Sequence, residues 1–142
     1  MQNWEQVLSG SGHRVTGSRR AVAEVLADAE GPLSHQTVLE RGRALHPELG
    51  LVTVYRTLDL FAELGLTRKV HREDGCSSCM PSSAGHHHAL LCTKCGAAVE
   101  FPCTDDIAEL VAKVESTTDF EVHSHLLQLS GVCSECKAKV GP

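Results

Sequence analysis

Leu51-Val52-Thr53-Val54-Tyr55-Arg56-Thr57-Leu58-Asp59-Leu60-Phe61-Ala62-Glu63-Leu64-Gly65 is the stretch whose reading decides the fold. Val54, Leu58, Phe61 and Leu64 recur at helical spacing, so one face of a helix is apolar and turns inward. Gly50 stands before it, and Gly65 fits the C′ position that ends a helix in the left-handed conformation. Upstream, His46-Pro47 ends an earlier helix, because the residue before proline is pushed out of helical geometry. That helix is expected to be capped by Ser34 and to carry Val38 and Leu39 on one face, a face that Leu45 could extend. Before it, Gly31-Pro32 stops a helix over Arg19–Ala29, with Ser18 as the expected cap and Ala21, Val22, Val25 and Leu26 inward. Asn3–Gly10 adds a turn or two. Downstream come Leu66–Arg72 and then Asp74-Gly75, a hairpin turn signal. Short helices joined by a Gly/Pro turn suggest a helix-turn-helix, and a hairpin behind the last helix makes it winged.

Past Asp74 the character changes. Residues 75–85 are small and polar (Ser77, Ser78, Pro81, Ser82, Ser83) and read as a hinge. Residues 86–142 then form a second unit, with strands over Ala89–Cys92 and Ala97–Phe101. A helix over Asp105–Glu115 carries Ile107, Leu110, Val111 and Val114 on one face, and a longer strand runs over Glu121–Ser130. The expected class is α+β: a winged-helix domain over 1–74, a hinge over 75–85, and an α/β domain over 86–142.

With 142 residues, 42% hydrophobic and 22% charged, the chain has room for one mid-sized domain or two small ones. No stretch reaches the roughly 20 apolar residues of a membrane span, and no basic-then-apolar leader opens the chain, so a cytoplasmic location is expected. Seven cysteines, an odd number, favour reduced thiols and metal ligands over disulfides. The net charge of −5 argues against nucleic acid only at first sight. Residues 1–74 hold nine basic against ten acidic side chains, whereas 75–142 hold four against eight. The basic groups of the first half cluster in short stretches, and phosphate binding depends on local patches.

Thiolate sulfur suits Zn²⁺, and a Cys-x-x-Cys turn places two sulfurs on one ion. Cys92-Thr93-Lys94-Cys95 and Cys133-Ser134-Glu135-Cys136 are two such turns, expected to share one structural zinc that joins distant segments. His86-His87-His88 precedes the first pair, and His123 and His125 precede the second. On a strand His86 and His88 face one way and His87 the other. Such histidines, with Glu100, Asp105 or Asp106 nearby, suit an exchangeable Zn²⁺, Fe²⁺ or Ni²⁺; alone, the triplet also fits a solvated loop. Cys76 and Cys79 form a third Cys-x-x-Cys, open to three readings: metal ligands, a reversible dithiol, or neither. Cys103 has no sequence partner.

Thr53, Tyr55 and Arg56 sit in the first turns of the Leu51–Leu64 helix, where a recognition helix reads base edges. Tyr55 can contact a thymine methyl and Arg56 a guanine or phosphate. Arg14, Thr16 and Arg19 offer an approach to the backbone or an A·T-rich minor groove. No His-Glu-x-x-His helix and no nucleophile beside a base is present, so no enzyme is expected.

In combination, Gly12-His13-Arg14-Val15-Thr16 with Arg19, Thr53–Leu58, His86-His87-His88, Cys92/Cys95, His125 and Cys133/Cys136 resemble the ferric uptake regulator superfamily over essentially the whole chain. The resemblance implies a homodimer with a structural Cys₄ zinc that binds palindromic, A·T-rich double-stranded DNA when metal is present. It implies a regulatory site of His86, His88, His125 and a carboxylate, Asp106 or Asp105 after a one-residue offset. It also places His87 and Glu100 in a sensing site between the domains. Two further family ligands of that site are missing, Ala89 and Pro32 standing where histidines are usual, and its hinge ligand falls near Cys79-Met80. The expected function is a metal-dependent repressor of metal homeostasis, sensing Zn²⁺ over Fe²⁺ through Cys76 or Cys79. The alternative is a thiol-redox regulator using the same two cysteines.

Overall fold

The computed structural model describes residues 3–83, 85–102 and 106–139, leaving out the side chain of Asp106. Four helices open the chain: α1 (Trp4–Gly10), α2 (Gly17–Ala27), α3 (His35–Leu45) and α4 (Leu51–Glu63). Ser34 caps α3 as expected, its side chain accepting from the Thr37 amide at 3.1 Å. For α2 the cap is Thr16 instead of Ser18: its Oγ1 accepts the Arg19 amide at 3.2 Å, which leaves Ser18 inside the first turn. At the end of α4, Gly65 adopts φ +73°, the Gly65 amide donates to Ala62 O (3.1 Å), and the Leu66 amide donates to Phe61 O (2.8 Å). This double closure turns the chain straight into the wing.

The wing is the antiparallel pair β1 (Thr67–His71) and β2 (Ser77–Pro81), with Arg68 opposite Met80 and Lys69 opposite Cys79. The stretch expected as a hinge over 75–85 therefore contains a strand, Ser77–Pro81. Its small polar residues resemble a linker, yet β1 on one side and a bridge from Leu33 to Cys79 on the other satisfy its backbone groups. The core lies here: Leu8, Val22, Leu26, Val54, Leu58 and Phe61 are fully buried, with Leu66 and Cys79 closing it from the wing.

The second half is a three-stranded sheet in the order β4-β3-β5, built from β3 (His87–Cys92), β4 (Ala98–Pro102) and β5 (Gln128–Gly131). β4 runs antiparallel to β3 and β5 parallel to it. A parallel neighbour requires a crossover, supplied by α5 (Asp106–Thr118) and the chain after it. The expected long strand over 121–130 is reduced to β5, since residues 119–127 take up no ladder. A short helix, α6 (Ser134–Lys139), ends the described chain. No helix among the described residues is long and apolar enough to cross a membrane.

Candidate metal centres and nucleic-acid interface

Cys92 ends β3, and the turn that follows, closed by Gly96 at φ +78°, folds Cys95 back beside it. Pairing of β5 with β3 puts Gly131 opposite Cys92, so the chain delivers Cys133 and then Cys136 to the same spot. The four sulfurs lie within 4.8 Å of one another, with Cys95 and Cys133 at 3.8 Å. Zinc–sulfur bonds of about 2.3 Å in a tetrahedron set sulfur–sulfur separations at about 3.8 Å, so the set fits Zn²⁺. The Cys133 amide points at Cys92 Sγ (3.4 Å). Backbone donation from Cys133 and Cys95 lowers the Cys92 thiol to about 6, while the crowd of neighbouring sulfurs, Cys133 foremost, pushes Cys136 up to about 12. Four thiols in contact cannot all ionise without a cation among them.

The second cluster is His86, His88 and His125, each offering a ring nitrogen within 4.8 Å of the others. His86 and His125 are stacked with centroids 4.6 Å apart, and His88 stands 5.1 and 5.2 Å from them. His88 is buried with its Nε2 unpartnered. Burial, followed by the charges of His86 and His125, holds it below the usual imidazole range, so it stays neutral as a ligand must. An orphaned neutral imidazole nitrogen facing two more fits a divalent ion of the zinc type. Asp105, and the side chain of Asp106, the expected fourth ligands, lie outside the described residues, as does Cys103. His123 is not in the cluster and lies exposed near Glu121.

The expected sensing set of Cys76, Cys79, His87 and Glu100 does not assemble among the described residues. Cys79 is buried in the core of the first half, where burial raises its thiol to about 11. Cys76 is exposed near the wing tip, its amide donating to Asp74 Oδ1. Three residues of extended chain separate them by about 10 Å, beyond the reach of a disulfide. His87 is half-buried with Nδ1 unpartnered, and Glu100 accepts the Ser83 amide at 3.0 Å.

On the first half, Thr53, Tyr55 and Arg56 are exposed along the N-terminal turns of α4, beside Val52. His35, which opens α3, stacks on Tyr55 with centroids 4.1 Å apart and an interplanar angle of 13°. The sequence carried no sign of this partner, because it comes from the packing of α3 against α4. Thr16 is occupied as a cap, Arg19 donates to Arg14 O, and Arg20 pairs with Glu5 at 2.6 Å. Those contacts order the basic residues at the start of α2 and tie them to α1.

Ligand clusters on one unit and an exposed polar helix face on the other belong together when the first controls the second. That is the class of metal-responsive transcription regulators. The sequence profile of the ferric uptake regulator family matches residues 10–130. The ferric uptake regulation protein of Bacillus subtilis (strain 168) is 35% identical, over 93% of this chain and 91% of that protein. The peroxide operon regulator of the same organism is 34% identical, over 94% and 91%. A zinc uptake regulator solved with zinc and DNA superposes with a TM-score of 0.80, at 22% identity, over 98% of this chain and 93% of that one, which speaks for the fold alone. The chain belongs to the ferric uptake regulator family; it is a metal-responsive transcription regulator and not an enzyme.

Proposed function

We propose that this protein is a cytoplasmic, homodimeric, metal-dependent repressor of metal homeostasis that binds a palindromic, A·T-rich operator. The observation that carries the reading is the His86/His88/His125 cluster, with its buried and unpartnered His88 Nε2, in a chain whose α4 presents Thr53, Tyr55 and Arg56 to solvent. Zn²⁺ is favoured over Fe²⁺ as the regulatory ion because imidazole nitrogens bind Zn²⁺ more tightly in the divalent series. A thiol ligand from Cys76 or Cys79 no longer contributes to that choice. A bound ion supplies a fixed cross-link between β3 and the segment before β5, favouring the arrangement of the two units that matches the operator half-sites. Arg14 and Arg19 contact the DNA backbone in this reading, Tyr55 and Arg56 read base edges, and the Cys₄ zinc is structural.

The supporting experiment is fluorescence anisotropy with an A·T-rich palindrome in the presence of Zn²⁺, Fe²⁺ or a chelator. Binding should tighten at least tenfold with the regulatory ion, and His88→Ala should abolish the gain. Affinity independent of metal overturns the proposal.

A further inference from the structure

Arg68 reaches from the wing into the second half. Its Nη2 donates to the His87 carbonyl at 2.6 Å, and its guanidinium lies 3.7 Å from the Glu100 carboxylate. Both side chains are largely sheltered, at 18% and 10% exposure. Glu100 is simultaneously held by the Ser83 amide, so the first half, the connecting chain and strands β3 and β4 meet on one ion pair. The pair sits beside a cleft of about 770 Å³ between the two halves, which Arg68, Ser83 and His87 help to line.

A sheltered carboxylate needs a cation, and here a guanidinium already supplies it. A guanidinium is a permanent cation among side chains, and here one terminal nitrogen, Nη2, faces both the His87 carbonyl and the Glu100 carboxylate. The other residues expected around an ion at this place point elsewhere: Cys79 into the core of the first half, Cys76 to solvent. Residue 89 is a buried alanine with no ligand atom.

We propose that Arg68 is a built-in cation that latches the wing to the second half in place of an exchangeable metal at His87 and Glu100. Arg68 is then a positioning residue, holding the wing against β3 and β4 without an ion at His87 and Glu100, while the ion at the histidine cluster selects among the arrangements this contact allows. The responsive ion is confined to His86, His88 and His125. This count rests on the proposed role of that cluster, and the test separates the two ideas.

The full chain, with its Cys₄ zinc counted after purification, is titrated with Zn²⁺ against a chromophoric chelator. One exchangeable ion per chain is expected, kept within threefold in affinity in Glu100→Gln and in His87→Ala, and lost in His88→Ala. A second exchangeable ion, or one lost in Glu100→Gln, overturns the latch. An ion that survives in His88→Ala instead overturns the role given to the histidine cluster. Hydrogen exchange at the Ser83 amide, measured by NMR at fixed zinc, reads the latch directly. It should accelerate at least tenfold in Arg68→Gln and return toward the wild-type rate in Arg68→Lys, which keeps the charge. Unchanged exchange in Arg68→Gln overturns the proposal even where the zinc count agrees.

Discussion

Tyr55 lies at the centre of the exposed face of α4, and its aim depends on one neighbour. The His35 ring stacks on it at 4.1 Å, and aromatic pairs of this kind contribute about 0.5–1.5 kcal/mol beyond simple burial. Replacing His35 with alanine should therefore weaken operator binding by about three- to tenfold without altering metal content. Anisotropy on matched and mismatched operators checks this, and an unchanged affinity would show that the stack is incidental. His35 also carries a pH signature. Burial first, then the charge of Lys69, holds its pKa below the ordinary imidazole value of 6.5. The unfolded chain takes up the proton first, so the contribution of His35 to stability is complete above about 6.5 and is lost as pH falls through the folded pKa. Thermal midpoints of zinc-loaded protein between neutral and mildly acid pH should fall more steeply in the wild type than in His35→Gln. Equal slopes would remove the assignment. The identity of Tyr55 was readable from the chain, but its support was not, because nothing local ties position 35 to position 55.

At the scale of elements, the connection from α3 to α4 folds back closely over Gly42. A methyl group added there would come within 2.5 Å of the Leu49 side chain, which is itself buried. Alanine in place of a mid-helix glycine gains up to about 1 kcal/mol in propensity, while overpacking costs about 1–3 kcal/mol. Gly42→Ala should thus be destabilising by about 1 kcal/mol, read as a lower denaturation midpoint with an unchanged slope. A stabilised variant would mean that Leu49 yields freely. The helices of the first half were legible because their apolar residues recur at 3.6-residue spacing and their ends carry Ser34, Pro47 and Gly65. β2 was not, since Ser77-Ser78-Cys79-Met80-Pro81 has the composition of a linker and becomes a strand through partners elsewhere in the chain. The same limit applied to the metal ligands. Both Cys-x-x-Cys pairs and the alternate histidines announce themselves by spacing. By contrast, the failure of Cys79 to join His87 and Glu100 follows from which face of β2 turns inward, a property fixed by register.

For the molecule as a whole, the two halves are buried to different degrees. The first half encloses a complete core, whereas the second leaves an apolar set uncovered: Leu110 is 59% exposed and Val114 39% along α5, with Val99 and Leu129 bare on the outer strands. Apolar area of this extent marks an association surface, and within the proposed homodimer it lies between the two copies. Leu110→Glu should shift sedimentation from dimer to monomer and weaken binding to a two-half-site operator at least tenfold, with the Cys₄ zinc retained. A Leu110→Glu protein that remains dimeric would place the subunit contact elsewhere.

Cys92 and Cys133 stand 41 positions apart. Closing a loop of that length by a cross-link withdraws about 4 kcal/mol of conformational freedom from the open chain. The consequence concerns sequence in time. His86 lies just outside that loop and His125 inside it, so the triad exists only once the loop is shut. Loading is then ordered: zinc supplied gradually to stripped protein should fill the sulfur site completely before any reaches the imidazoles. Native mass spectrometry at half-equivalent steps would show this as empty and singly loaded chains alone until the first equivalent is spent. Doubly loaded chains appearing earlier would contradict it.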